Sequence, residues 1–317
     1  MRKVLLLIMF LGSVFVNYSL AQSDPHFSLF EYSQNIYNPG AAGSNNAMCV
    51  TSLHRQQWVG FKEEGRPVTT LFLFDMPIPS VNMLGVGLNI QQDALGFQKD
   101  LNVNANLAYR LELDFGMLGI GVGVGIINRS IDGDWRTYMS LLGQPVYIDP
   151  NIPHMESKTA FDMNFGATLV GEKFWVGLSS THLLNPVIKY DIDNPSYIAR
   201  HFYLTGGYEY SLPNPSFDLI GTTMIQSDGA GFPEIQINGK ILYNKSFWGG
   251  LSYRYSDAIV PMIGVHLVNG LSFAYSCDIS LMKIGSNMLT SHELMIRYCF
   301  NVSMDKTPGR HRGVRRL

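Results

Sequence analysis

Ser291, His292 and Glu293 are the residue types of a charge-relay triad, and they stand side by side near the end of the chain. In an extended strand, neighbouring side chains point to opposite faces, so this tripeptide cannot assemble a triad. The sequence contains no G-x-S-x-G elbow and no H-E-x-x-H motif. His54, His182, His201 and His266 are isolated in sequence and read as lumen or loop residues rather than metal ligands. Asp132, Asp134, Asp149 and Asp162 lack the spacing of a calcium-binding loop. Cys49, Cys277 and Cys299 fit no zinc or redox spacing and read as isolated strand thiols, with Cys277 and Cys299 on opposite faces of a sheet. Gly119, Gly121, Gly123 and Gly125 could suggest a phosphate loop, but no helix follows and no Lys-Ser/Thr pair closes the run. No basic patch with interleaved aromatics marks nucleic-acid binding. The expectation is a protein that is not an enzyme, with no catalytic, cofactor-binding or metal residues and no cofactor.

The same glycines point to the elements that must carry them. They alternate with Ile120, Val122, Val124 and Ile126, which describes a strand with one bare face. That bare face leaves room in a lumen for packed side chains or a plug. Val103, Ala105, Leu107 and Tyr109 alternate with Asn102, Asn104, Asn106 and Arg110. Ile235, Ile237 and Ile241 alternate with Gln236, Asn238 and Lys240; Leu294, Ile296, Tyr298 and Phe300 alternate with Glu293 and Arg297. Period-2 patterning of this kind is the mark of strands. A soluble sandwich would place charge on its polar face, where this chain prefers Asn, Gln, Ser and Gly. Only 15% of residues are charged, against roughly 25% in soluble domains. Strands with lipid on one side and a polar lumen on the other satisfy both observations.

Arg2 and Lys3, the apolar run Val4 to Val16, and Ser19-Leu20-Ala21 form a signal peptide with cleavage expected before Gln22. No later stretch resembles a transmembrane helix, which leaves a closed barrel as the way to cross a membrane. The fold class expected is all-β: a transmembrane antiparallel β-barrel of about 14 strands with both termini periplasmic, in the cell outer membrane and in contact with its lipid. The domain plan is a signal peptide (1–21), a periplasmic or luminal N-terminal segment (22–45), the barrel (46–301) and a basic disordered tail (302–317). Even-numbered connections are short and turn-like, and the odd ones include the long stretches 130–157 and 183–198. Short periplasmic turns and longer outer loops give that alternation.

Several segments, in order, resemble the PorP/SprF family of type IX secretion-associated outer-membrane proteins. They are Asp24-Pro25-His26-Phe27-Ser28, Tyr37-Asn38-Pro39-Gly40-Ala41-Ala42-Gly43-Ser44, and Arg55-Gln56-Gln57-Trp58-Val59-Gly60-Phe61 with Gly65, Pro67 and Thr69. Gly249 to Arg254, Tyr275 to Asp278 and Ser291 to Glu293 are similar to its closing motifs. Gly40 stands where the family usually carries another residue, and the basic tail has no place in the family pattern.

The resemblance implies a non-enzymatic role in the type IX export machinery of Bacteroidota. Expected partners are the periplasmic ring, a peptidoglycan-binding protein, and a secreted cargo with a C-terminal sorting domain, such as a gliding adhesin. Within that frame Arg55, Trp58 and Phe61 are the candidate partner or cargo contacts, with Trp58 and Phe61 expected in the first outward loop as aromatic anchors. The alternative for the pair is packing over the lumen mouth. The alternative for the whole protein is a passive outer-membrane channel or uptake barrel for small solutes.

Overall fold

The computed structural model describes residues 24–60, 65–78, 83–131, 155–190, 196–281 and 290–300. The expected signal peptide and basic tail lie outside these residues. Strands β1 (Met48–Val59), β2 (Val68–Pro77), β3 (Leu84–Leu95), β4 (Gln98–Leu113), β5 (Gly116–Ile131), β6 (Glu156–Val170) and β7 (Phe174–Thr181) come first. A two-stranded ribbon, β8 (Val187–Ile188) and β9 (Ser196–Tyr197), interrupts the series. Then follow β10 (His201–Ser211), β11 (Phe217–Ser227), β12 (Glu234–Tyr243), β13 (Phe247–Arg254), β14 (Ala258–His266), β15 (Leu271–Ser280) and β16 (Thr290–Phe300).

Fourteen of these strands close into one antiparallel barrel, with β1 hydrogen-bonded to β16 and the β8–β9 ribbon outside the closed sheet. Closure satisfies every strand edge, which is the condition for a sheet to sit in lipid. No helix among the described residues is long and apolar enough to cross a membrane.

Alternation decides what each face shows. Leu107, Ile237, Leu251 and Ile263 are 53 to 63% exposed on the outer wall. Asn106, Gln236, Asn238 and Glu293, their neighbours on the polar registers, are buried inside. The wall has an apolar outside and a polar inside, the reverse of a soluble protein. Tyr109, Tyr208, Tyr210, Tyr243, Phe247 and Tyr298 are exposed near one end of their strands. They form part of an aromatic girdle at the end where the short turns lie. Tyr298 and Phe300, ring centroids 5.5 Å apart, complete it on the last strand.

Because the strands alternate in direction, residues 78–83, 114–115, 171–173, 212–216, 244–246 and 267–270 all connect strands at that end. The strand ends Ile131 and Glu156, Thr181 and His201, and Ser280 and Thr290 lie at the other. Two connections depart from the expected length pattern at the long-connection end: β3 and β4 join through only Gly96 and Phe97, and β13 and β14 through only Tyr255, Ser256 and Asp257.

The cysteine reading needs correction. Cys49 and Cys299 face each other across the β1–β16 seam, 4.1 Å apart at Cα, and form a disulfide. They are 250 residues apart in sequence, so only closure of the barrel brings them together. Cys277 is the free thiol and stands on the outer register of β15, opposite in facing to Cys299, as alternation requires.

A bridge that staples the first strand to the last holds the ring at its seam. Replacing both Cys49 and Cys299 by Ser should leave a heat-modifiable barrel whose unfolding midpoint is lowered, by about the 2–4 kcal/mol typical of a bridge. Gel migration against temperature checks this. The wild type should show the same drop under reductant, and the double variant no further change.

Candidate functional site

The inner wall does not enclose an open channel. The segment ahead of β1 runs through the lumen along the barrel axis. Ala42 and Asn46 lie beside Gly85 and Arg110 at the short-turn end, whereas Asp24 reaches His182 and His201 at the long-connection end. Asp24 and Phe300, the first and last described residues, therefore lie at opposite mouths. The segment occupies the lumen from one mouth to the other.

The wall is built to receive this backbone. Three short helical turns, Phe30–Tyr32, Gln34–Tyr37 and Pro39–Ala41, fold the segment into the lumen. Pro39–Gly40 rests on the glycine face of β5. A Cβ on Gly121 would lie 2.4 Å from the Pro39 backbone, and one on Gly119 would lie 2.2 Å from the Gly40 carbonyl. Backbone cannot yield at such distances, so the bare strand face is a seat for the segment. Asn38 holds that turn: its Oδ1 accepts from Gly40 N at 2.9 Å and its Nδ2 donates to the Ala167 carbonyl at 2.9 Å.

Side-chain amides fix the next stretch. Asn89 and Asn106 donate to the Asn35 carbonyl at 2.7 and 2.8 Å, and Asn35 Nδ2 donates to Asn89 Oδ1 at 3.2 Å. Glu31 pairs with Lys240 and accepts from Thr222 Oγ1 at 3.1 Å. The Lys240 ammonium lies 4.6 Å from the Trp248 ring and 5.3 Å from that of Tyr32. Tyr32 and Trp248 stack at 6.1 Å.

Ser28 is the most heavily tied residue of the segment. Its N–H donates to Glu293 Oε2 at 2.9 Å, its hydroxyl donates to Asp278 Oδ1 at 2.8 Å, and its carbonyl accepts from Gln236 Nε2 at 2.9 Å. The next N–H, of Leu29, donates to Glu293 Oε1 at 2.9 Å. Two guanidinium groups balance the two carboxylates. Arg55 lies 2.6 Å from Asp278 and 3.0 Å from Glu293, and Arg254 lies 3.2 Å from Asp278 and 2.9 Å from Ser28 Oγ. Buried charges persist only when paired and hydrogen-bonded, and each carboxylate here has both kinds of partner.

Closer to the mouth, Asp24 meets two histidines. Its Oδ1 is 2.9 Å from His182 Nε2, and its Oδ2 accepts from Tyr203 at 2.8 Å and Thr181 at 3.2 Å. The other nitrogen of His182 lies 2.6 Å from Asp162. Burial opposes the charge on Asp24, yet His182 and His201 beside it hold its carboxyl well below the usual range. Burial likewise opposes a charged His182, but Asp24 and Asp162 on its two nitrogens push it up to about 10. Burial and then Arg254 lower the His26 imidazole despite Glu234 next to it.

Above this floor lies a polar vestibule of about 720 Å³, lined among others by His26, Trp58, Asp93, Arg129 and Arg254. A second cavity of about 230 Å³ lies at the short-turn end beside Gly40, Asn46 and Arg110. The two share no lining residue, because the segment stands between them.

The candidate contact residues separate accordingly. Arg55 is 3% exposed and committed to the internal ion cluster, so it has no free face for a partner. Its register in β1 points inward. Trp58 is half-buried at the vestibule rim, still within β1, at a register irregularity where its φ is +53°. Phe61 lies outside the described residues. Sequence reading missed Ser28, Asp278, Arg254 and Asp24. All four stand inside the motifs that carry the family resemblance, and Asp278 and Arg254 are in addition charges on otherwise apolar or small-residue strands.

A lipid-facing closed barrel, sealed by its own N-terminal segment and carrying a recessed polar mouth, defines an outer-membrane protein. The sequence profile of the type IX secretion system membrane protein PorP/SprF family matches residues 19–298. The chain belongs to that family and is associated with the type IX secretion system. No curated protein matches it in sequence. Among solved structures it is similar to the toluene transporter TbuX of Ralstonia pickettii, at 12% identity, a TM-score of 0.48, and coverage of 83% of this chain and 92% of that one. It is also similar to CdiB from Acinetobacter baumannii, at 9% identity, TM-score 0.44, and 80% and 60% coverage. The toluene transporter TodX of Pseudomonas putida gives 6% identity, TM-score 0.42, and 81% and 88% coverage.

Two variants test the seating of the segment. Ser28→Val strands buried carboxylate and guanidinium groups and should weaken docking by roughly 1–3 kcal/mol. Gly121→Val should act more strongly, because its side chain occupies the place of Pro39. Limited proteolysis of detergent-solubilised barrels, followed by intact mass, should show the N-terminal segment clipped faster in both, with the barrel itself still heat-modifiable.

Proposed function

We propose that this barrel is a closed, non-enzymatic scaffold of type IX secretion that helps export cargo bearing a C-terminal sorting domain or holds it at the cell surface. The observation that carries the reading is the sealed lumen: backbone groups of Ser28, Leu29 and Asn35 are hydrogen-bonded to wall side chains, Pro39 and Gly40 rest against wall glycines, and the two cavities share no lining residue.

Outer-membrane barrels keep their short turns in the periplasm. That orientation turns the long-connection mouth, with its vestibule and Trp58, toward the outside, where cargo emerges. The short-turn mouth then faces the periplasmic ring and a peptidoglycan-binding partner. Trp58 supplies an aromatic anchor at the rim, and Phe61 follows it three residues on in sequence. Arg55 serves this indirectly, by tying β1 to β15 and β16 just below that rim.

The test is Trp58→Ala with Phe61→Ala in the producing bacterium. Surface-retained cargo should fall several-fold while the barrel still fractionates with the outer membrane. Purified wild-type barrels in planar bilayers should show no steady conductance. Unchanged cargo display together with a stable open channel would instead support the uptake barrel.

A further inference from the structure

Asp24, His182 and His201 come from three separate elements: the luminal segment, the residue after β7, and the first residue of β10. One donor atom from each lies within 4.8 Å of the others. We propose that these three residues form a binding site for a divalent transition ion of the zinc class, which fastens the N-terminal segment to the wall at the mouth. The proposal is independent of the cargo reading above.

The surroundings are those of ligands rather than of three incidental polar groups. Metal-bound imidazoles characteristically donate their remaining N–H to a carboxylate or a carbonyl, which fixes the ring and its tautomer. His182 has Asp162 at 2.6 Å on Nδ1, leaving Nε2 directed at Asp24. His201 Nδ1 lies 3.0 Å from the Ala199 carbonyl and 3.7 Å from Asp24 Oδ2. With Nδ1 as donor, Nε2 carries a lone pair, and that buried atom has no hydrogen-bond partner among the described residues. Tyr203 and Thr181 hold the Asp24 carboxylate from its other oxygen.

Two imidazoles and one carboxylate are the donor set that zinc favours, whereas calcium and magnesium require more oxygens. All three residues border the vestibule, which supplies a route in and room for a water in the fourth position. Metal–donor distances of about 2.0–2.1 Å place tetrahedral ligands roughly 3.4 Å apart. His182 Nε2 and Asp24 Oδ1, 2.9 Å apart, therefore open slightly as the ion enters, while the third donor closes from within 4.8 Å. The ion takes the place of the proton shared by His182 and Asp24.

The experiment uses the full-length barrel purified in detergent, stripped with chelator and titrated with zinc(II) alone. Expected are one saturable equivalent per barrel, visible absorption of a tetrahedral type when cobalt(II) replaces zinc, and slower proteolysis of the N-terminal segment in the loaded form. His201→Ala should abolish the saturable site, and Asp162→Asn, a milder change, should weaken it by about 10-fold. Asp257→Asn, on the vestibule wall outside the cluster, should leave it intact. Heat-modifiable migration confirms that each variant is folded. Absence of saturable binding, or equal binding by folded His201→Ala, overturns the site. Binding that leaves proteolysis of the segment unchanged overturns its fastening role.

Discussion

In a bilayer, a backbone N–H or C=O without a partner costs several kcal/mol, and that constraint organises this molecule from the outside in. It forces the sheet to close, with β1 paired to β16, and the closure makes every strand two-faced. One face must be apolar for lipid. The other is then free to be polar, and here it holds amides, carboxylates and guanidinium groups that themselves need partners. The luminal segment supplies them. Sealing the barrel and satisfying its inner wall are therefore one structural act.

The segment is held in different ways along its length, and the differences are physical. Near the short-turn end the fit is steric: glycine faces of β3, β5 and β6 accept backbone at distances that exclude any Cβ. In the middle it is ionic, with Ser28 and Leu29 inserted among Arg55, Arg254, Asp278 and Glu293. At the mouth it rests on the Asp24–His182–Asp162 chain beside His201. Buried ion clusters add little net stability against an apolar alternative, but they strongly penalise any register that leaves a charge unpaired. They fit a role in fixing where the segment sits rather than how tightly the barrel holds together. The seam disulfide contributes on that second count.

For secretion, a shut barrel changes what the protein can offer. While the segment is seated the lumen leaves no path for a polypeptide, and the rims and outer wall are the surfaces left free. The vestibule, closed below by Asp24 to His26 and rimmed by Trp58, is the recessed polar surface available at one of those rims.

The sequence alone determined the strands, their inward and outward faces and the alternation of connection lengths, because period-2 patterning is a local property. The bare glycine face of β5 was also legible as a seat, since four alternating glycines have few other uses in a strand. Tertiary structure alone decided the rest. Cys49 meets Cys299, Arg55 meets Asp278, and Asp24 meets His182 only once the ring has closed and the segment has threaded it. These partners are separated by 158 to 250 residues, and no local spacing encodes them. A residue's facing can be read from its neighbours, but its partner across a lumen depends on strand register and closure, which belong to the whole chain.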